Sequence, residues 1–222
     1  DVTVSTYRAG GNLVKNMVFE RCHFGAKNAD GKSCGMYGGV DFWSSANFTS
    51  HPQPEPDRRG YSSIYVQDCV MEATNGWNWD FSGAQYPPTT EWTENVVYVR
   101  DSVFKGCGHI DGVDSGAPYH IGLQIEPGFD SVIERNVFGR CIHNAFKIIK
   151  GSSRNVFRDN TIDYVTPLPG ATPYKASVIV RSEGGVGNVI SGNRLLLTPE
   201  EFPGVAGQYW IYSDSGTKKS GN

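Results

Sequence analysis

The stretch Lys150–Ile162, "KGSSRNVFRDNTI", decides the fold. It reads as a turn, a short strand and a second turn, with Asn155 and Asn160 near the corners. Its centre, "VFRDNTI" from Val156, aligns with five other segments: "VFERCHF" from Val18, "IYVQDCV" from Ile64, "VYVRDSV" from Val97, "VIERNVF" from Val132 and "VISGNRL" from Val189. The first position is always Val or Ile, and the second is Phe, Tyr or Ile. The fifth is Cys22, Asp68, Asp101, Asn136, Asn160 or Asn193. Two residues later come Phe24, Val70, Val103, Phe138, Ile162 and Leu195.

The interval between copies runs from 24 residues (Asn136 to Asn160) to 46 (Cys22 to Asp68). The shortest matches one coil of a right-handed parallel β-helix, and the longer ones match that coil plus loops. One copy cannot bury its apolar face alone, whereas stacked copies can. A small polar fifth residue suits a tight turn. Asparagine there tolerates left-handed backbone and can hydrogen-bond the asparagine of the next coil.

A second strand follows each copy: "VDFWSS" from Val40, "WNWDFSG" from Trp77, "GLQIEPG" from Gly122, "AFKIIKGSS" from Ala145, "SVIVRSEGG" from Ser177 and "WIYSDSG" from Trp210. The opening "DVTVSTYRAGG" reads as this strand in an earlier coil, and the closing "SGTKKSGN" resembles "KGSSRNV" cut short. The expectation is an all-β chain. Residues 1–222 form a single domain, a single-stranded right-handed parallel β-helix of about six to seven coils. Both ends fall in mid-coil, as in a fragment of a longer chain. The competing architecture is a β-sandwich or jelly roll, which also has many short strands.

Composition agrees with strands and turns. The 222 residues include 27 glycines and 12% aromatics. The net charge of -3 comes from scattered acids and bases, so there is no footprint for nucleic acid. No apolar run approaches membrane-spanning length. The five cysteines, Cys22, Cys34, Cys69, Cys107 and Cys141, lack the paired spacing of a zinc site; their odd count leaves at least one free thiol unless a partner chain supplies another, and most read as core fillers. Asn47-Phe48-Thr49 is a glycosylation sequon, relevant only to a secreted eukaryotic chain.

Alignment of the second strands predicts an outward column of Trp43, Asp80, Glu126, Lys150, Arg181 and Ser213. A second would hold Asp41, Asn78, Gln124, Lys147, Ile179 and Ile211. "FKIIK" breaks simple alternation, so Lys147 can replace Lys150 on the outer face. Trp77 and Trp79 are expected inside. The long insertions "GAKNADGKSCGMYGG", "ANFTSHPQPEPDRRG", "SGAQYPPTTEWTE" and "PLPGATPYK" are expected along one edge, walling a groove.

The asparagine-punctuated repeat resembles the pectin-lyase-like superfamily of right-handed parallel β-helices, over nearly the whole chain. "KGSSRNVFRDNTI" followed by Arg181 resembles the lysine-then-arginine arrangement of the alginate and dermatan lyases of that fold. The resemblance implies a polysaccharide lyase acting on a uronate glycan, with Lys150 as base and Arg181 as acid. Trp43, Asp80, Gln124, Glu126 and Lys147 would line the substrate groove. Calcium is the cofactor it implies. The residues themselves define no metal site, because the family's acidic pair is replaced by Lys147 and Ile149. Its His-Gly after the arginine is replaced by Ser182 and Glu183. The partner would be an acidic polysaccharide, with no nucleic acid and no membrane. The location would be extracellular, either secreted or on a cell or virion surface.

Two other readings remain. One is a non-catalytic phage fibre, tailspike or surface protein, a homotrimer if phage-derived, and the mid-coil ends suit it. The other is a glycoside hydrolase using the acids of "GHIDGVDSG" (His109–Gly116), although Asp-Gly-x-Asp is also an ordinary turn.

Overall fold

A computed structural model describes residues 4–8, 14–24, 40–44, 61–71, 79–82, 96–105, 121–126, 128–139, 141, 144–149, 152–164, 179–196 and 210–222. Three long sheets stack strand upon strand. Sheet 1 has seven strands: Val4–Arg8, Val40–Ser44, Trp79–Ser82, Leu123–Glu126, Phe146–Ile148, Val180–Ser182 and Ile211–Ser213. Sheet 2 also has seven: Val18–Glu20, Ile64–Gln67, Val97–Arg100, Val132–Glu134, Val156–Arg158, Asn188–Ser191 and Thr217–Ser220. Sheet 3 has six: His23–Phe24, Val70–Met71, Val103–Phe104, Val137–Gly139, Thr161–Asp163 and Arg194–Leu196. The chain visits sheets 1, 2 and 3 in turn, and each visit lies beside the previous one. All pairings among the described residues are parallel. This is a parallel β-helix. It excludes the antiparallel sandwich. Val4–Arg8 pairs with Val40–Ser44, and Thr217–Ser220 pairs with Asn188–Ser191.

Two of the six repeats sit one residue away from the alignment expected from sequence. Val18 pairs with Tyr65, and Tyr98 pairs with both Tyr65 and Val132. The second and third copies therefore start at Tyr65 and Tyr98, not at Ile64 and Val97. Each tyrosine is flanked by two buried valines or isoleucines, so the apolar pattern fits either register. Only the pleat separates them, because a one-residue slip exchanges the two faces.

The corrected column at the turn between sheets 2 and 3 is Cys22, Cys69, Ser102, Asn136, Asn160, Asn193 and Asn222. Each backbone amide from Cys69 to Asn193 donates to the side chain of the next coil. Cys69 N–H reaches Ser102 Oγ at 3.1 Å, Ser102 N–H reaches Asn136 Oδ1 at 3.0 Å, and Asn136 N–H reaches Asn160 Oδ1 at 2.9 Å. Asn160 and Asn193 continue the ladder to Asn222. The ladder asparagines are not the left-handed residues. Arg21, Asp68, Asp101, Arg135 and Asp159, one position earlier, have φ of 52–54°, and glycine takes the place at Gly192 and Gly221. The division is physical. The left-handed residue turns the chain, and the next residue sends its amide inward to satisfy buried backbone. A second ladder runs through Ser131, Asn155 and Asn188 at the turn between sheets 1 and 2.

The inward positions of all three sheets fill the tube with aliphatic and aromatic side chains. Phe104 stacks on Phe138 at 4.7 Å, and Phe146 stacks on Phe157 at 4.2 Å. Cys69 and Cys141 are buried free thiols, in keeping with a filling role.

Outside, sheet 2 and its turns carry ion pairs that bridge coils. Arg135 forks onto Asp101, Arg154 onto Asp130, and Arg158 reaches Glu134. The hydrogen bond from Arg158 holds the Glu134 carboxyl below its ordinary range, and Arg135 does the same to Asp101. A carboxylate depressed in the folded state contributes stability that is present above its unfolded value and is lost as pH falls through the folded one. Thermal unfolding is therefore expected at progressively lower temperature from about pH 5 downward, below which unfolded carboxylates begin to protonate. The Glu134→Gln variant should show a shallower decline in the same titration. An unchanged slope would mean that Glu134 contributes nothing to acid sensitivity.

Candidate functional site

Sheet 1 differs from the other two in its place in the chain order. Sheet 2 passes to sheet 3 through two-residue corners, such as Arg21–Cys22 and Arg135–Asn136. Every long insertion connects to sheet 1. Residues 25–39 and 167–175 lead into its strands, and residues 46–60 and 83–94 lead away from them. The insertions themselves, and the edge expected of them, lie outside the described residues.

The outer face of this sheet is set by period-two alternation. Leu123, Ile125, Phe146, Ile148 and Val180 are buried in the tube. The positions between them form one unbroken row: Ser5, Asp41, Asp80, Gln124, Lys147, Arg181 and Tyr212. Beside it, Tyr7, Trp43, Ser82 and Glu126 form a second row. Backbone hydrogen bonds extend that row to Ile149, Glu183 and Asp214.

The two columns expected from sequence mix these rows. Asp80 and Arg181 belong to the first row, and Trp43 and Glu126 to the second. Ser213 pairs with the buried Ser182, and Ile179 and Ile211 are themselves buried core residues. Asp41, Gln124 and Lys147 do share a row, and it is the row that contains Arg181. The consequence is chemical: the cross-strand neighbour of Arg181 is Lys147. Lys150, Asn78, Trp77 and the His109–Gly116 stretch lie outside the described residues. At Trp43, Asp80 and Glu126 the strand positions are described but not the side chains.

This face is partly enclosed. Gln124 is only 5% exposed and Ile149 only 8%, although neither belongs to the inward rows. Lys147 and Arg181 are half-buried. Arg181 is held from two sides: its Nη2 donates to Glu183 Oε2 at 3.0 Å, and its guanidinium lies 5.7 Å from the centre of the Tyr212 ring. Its Nε is buried and has no acceptor among the described residues. A buried guanidinium N–H without an acceptor is uncommon, and a carboxylate is the group that answers it best. Tyr212 was not legible from sequence as a partner of Arg181. The available signal was the alternation of "WIYSD" against "VIVRSE", which brings Tyr212 beside Arg181 once the two strands are in register.

The row therefore runs from acid positions through an amide to two adjacent cation positions and an aromatic ring. Asp80 and Glu126, expected together in the substrate groove, fall in neighbouring rows two residues out of step, since Asp80 pairs with Gln124 and Glu126 with Ser82.

These features define a parallel β-helix in which one strand face carries a partly enclosed row of polar and charged groups. No family model, curated protein or solved structure matches the chain.

Proposed function

We propose that the chain is a carbohydrate-active β-helix that holds an acidic glycan across the outer face of sheet 1 and cleaves it by β-elimination. The observation that carries this reading is the adjacency of Lys147 and Arg181, with an Arg181 N–H that has no acceptor among the described residues. A uronate needs its carboxylate neutralised before the α proton becomes acidic enough to leave. Arg181, fixed by Glu183 and Tyr212, supplies that charge in a partly enclosed setting, where it is worth more than in water. Lys147, one strand away at about 4.8 Å, is placed to act as base in its neutral form. The α C–H proton goes to the lysine amine, a C=C bond forms as the bond to the leaving glycosidic oxygen breaks, and that oxygen takes a proton from water while the lysine ammonium later returns its proton to solvent. This reading gives the base role to Lys147, whereas the resemblance gave it to Lys150, which lies outside the described residues.

The test is ultraviolet absorbance of the unsaturated product, with alginate, pectate, dermatan and hyaluronan, each with and without calcium. Lys147→Ala is expected to lower the rate by about 10²–10⁴-fold while glycan binding persists. Arg181→Gln should weaken both. Retention of full rate by Lys147→Ala with loss in Lys150→Ala would return the base to Lys150. No absorbance change on any polymer would remove the lyase reading and favour a structural or adhesive β-helix.

A further inference from the structure

The outer face of sheet 2 carries a second feature, well away from the row on sheet 1. One outward row is Val18, Tyr65, Tyr98, Val132, Val156 and Val189. Two positions further along the strands runs Glu20, Gln67, Arg100, Glu134, Arg158 and Ser191. Tyr65 and Tyr98 stack at 4.9 Å with ring planes 11° apart. The next coil offers only Val132, so the stack ends at Tyr98 and its second ring face borders a shorter side chain. Between the two rows lies a depression of about 310 Å³ lined by Tyr98, Val132, Arg100 and Glu134, with Arg158 at one end and Gln67 at the other.

The charges in this depression are unequal. Arg135, Arg154 and Arg158 each hydrogen-bond a carboxylate. Arg100 does not: its Nε and Nη2 both donate to the neutral Gln67 Oε1, at 3.0 and 2.7 Å. Glu134, the nearest acid in its row, is engaged by Arg135 and Arg158 instead. Among the described residues, Arg100 thus keeps a positive charge that no hydrogen-bonded acid offsets, beside an aromatic ring with one face unstacked.

We propose that this depression is a second saccharide subsite, which takes one acidic sugar unit with its ring against Tyr98 and its carboxylate or sulfate on Arg100. A pyranose has an apolar face for the tyrosine and equatorial oxygens that can bond Gln67 and Glu134. An anionic substituent in the ring plane would reach Arg100 and form a charge-assisted pair. Nucleic acid fits less well. Its affinity depends on a basic track along the phosphates, whereas here Arg158 is already neutralised by Glu134 and the chain as a whole carries -3.

The experiment is calorimetric titration of uronate oligosaccharides and of a sulfated oligosaccharide, with a neutral cello-oligosaccharide as control. It is performed on the full chain and on a Lys147→Ala/Arg181→Gln background. That background removes the sheet 1 row, so the outcome at sheet 2 does not depend on the lyase reading. Residual binding of about one acidic ligand per chain is expected there. It should weaken about tenfold or more, equivalent to roughly 1.4 kcal/mol, on adding Arg100→Gln or Tyr98→Ala. Arg100→Gln changes one exposed charge and nothing in the core, so it remains informative even if Tyr98→Ala lowers the melting temperature. Absence of acidic-ligand binding in the background variant, or binding indifferent to Arg100→Gln, would overturn the proposal. Equal affinity for the neutral oligosaccharide would overturn the role given to Arg100.

Discussion

Replacing Asn160 with alanine is expected to lower stability by about 3–5 kcal/mol, since it strands several buried polar groups at once. Asn160 is 1% exposed and stands at the centre of the ladder. Its Oδ1 accepts from both the backbone N–H and the Nδ2 of Asn136, at 2.9 and 3.0 Å. Its Nδ2 donates to the Ile133 carbonyl at 3.0 Å and to Asn193 Oδ1 at 3.0 Å. Alanine removes all four and leaves the Asn136 amide and the Ile133 carbonyl buried without their partners. Asp would keep an oxygen of the right shape but bring charge and a second acceptor against the Ile133 and Asn193 oxygens, so Asn160→Asp should be at least as damaging at neutral pH. Urea titration followed by circular dichroism measures both. A loss below about 1 kcal/mol in Asn160→Ala would show that water enters the turn and replaces the ladder.

The sequence made the ladder visible but did not place it correctly. Asn136, Asn160 and Asn193 recur at one position, and the 24-residue interval between the first two is a single coil without insertion. Those two facts are enough for a parallel β-helix, because few other folds repeat a buried amide at that period. The register of the second and third copies was not legible. Ile64-Tyr65-Val66 and Val97-Tyr98-Val99 are apolar at three consecutive positions, and period-two reasoning needs a polar residue to choose a face. The misreading put Asp68 and Asp101 in the ladder, where Cys69 and Ser102 belong.

The same ambiguity affected the candidate site. Phe146-Lys147-Ile148-Ile149 has an apolar residue at an outward position, and Ile149 is 8% exposed because that part of the outer face is enclosed. Sequence periodicity reports burial, and burial here no longer distinguishes inside from outside. The pairing of Lys147 with Arg181 therefore emerged only from the hydrogen-bonded register. Tyr98 and Arg100 were hidden for the opposite reason. They were read as ordinary members of a repeat, and their significance depends on Val132 being short and on Gln67 occupying the place where the other arginines find an acid.

Phe157→Ala should rival the asparagine variant, at about 3–5 kcal/mol, by a wholly apolar route. Phe157 is 2% exposed and joins two sheets across the tube. It stacks on Phe146 of sheet 1 at 4.2 Å with planes 8° apart, and it meets Phe138 of sheet 3 at 5.6 Å. Its own row continues to Ile133 on one side and Ile190 on the other. Truncation leaves a cavity that three sheets border, and a closed tube of paired strands has little freedom to collapse into it. Phe157→Leu should recover much of the loss by restoring volume, though not the aromatic contact of roughly 0.5–1.5 kcal/mol. Phe19, 9% exposed near one end of the stack, is the internal control: Phe19→Ala removes the same atoms where fewer coils confine them, and should cost less. Because stacked repeats are coupled mainly to their neighbours, combining Phe157→Ala with Asn160→Ala in one coil should cost less than the sum of the two. The first change already loosens the contacts that the second would break. Strict additivity in a urea double-mutant cycle would mean that the ladder and the aromatic stack hold the coil independently.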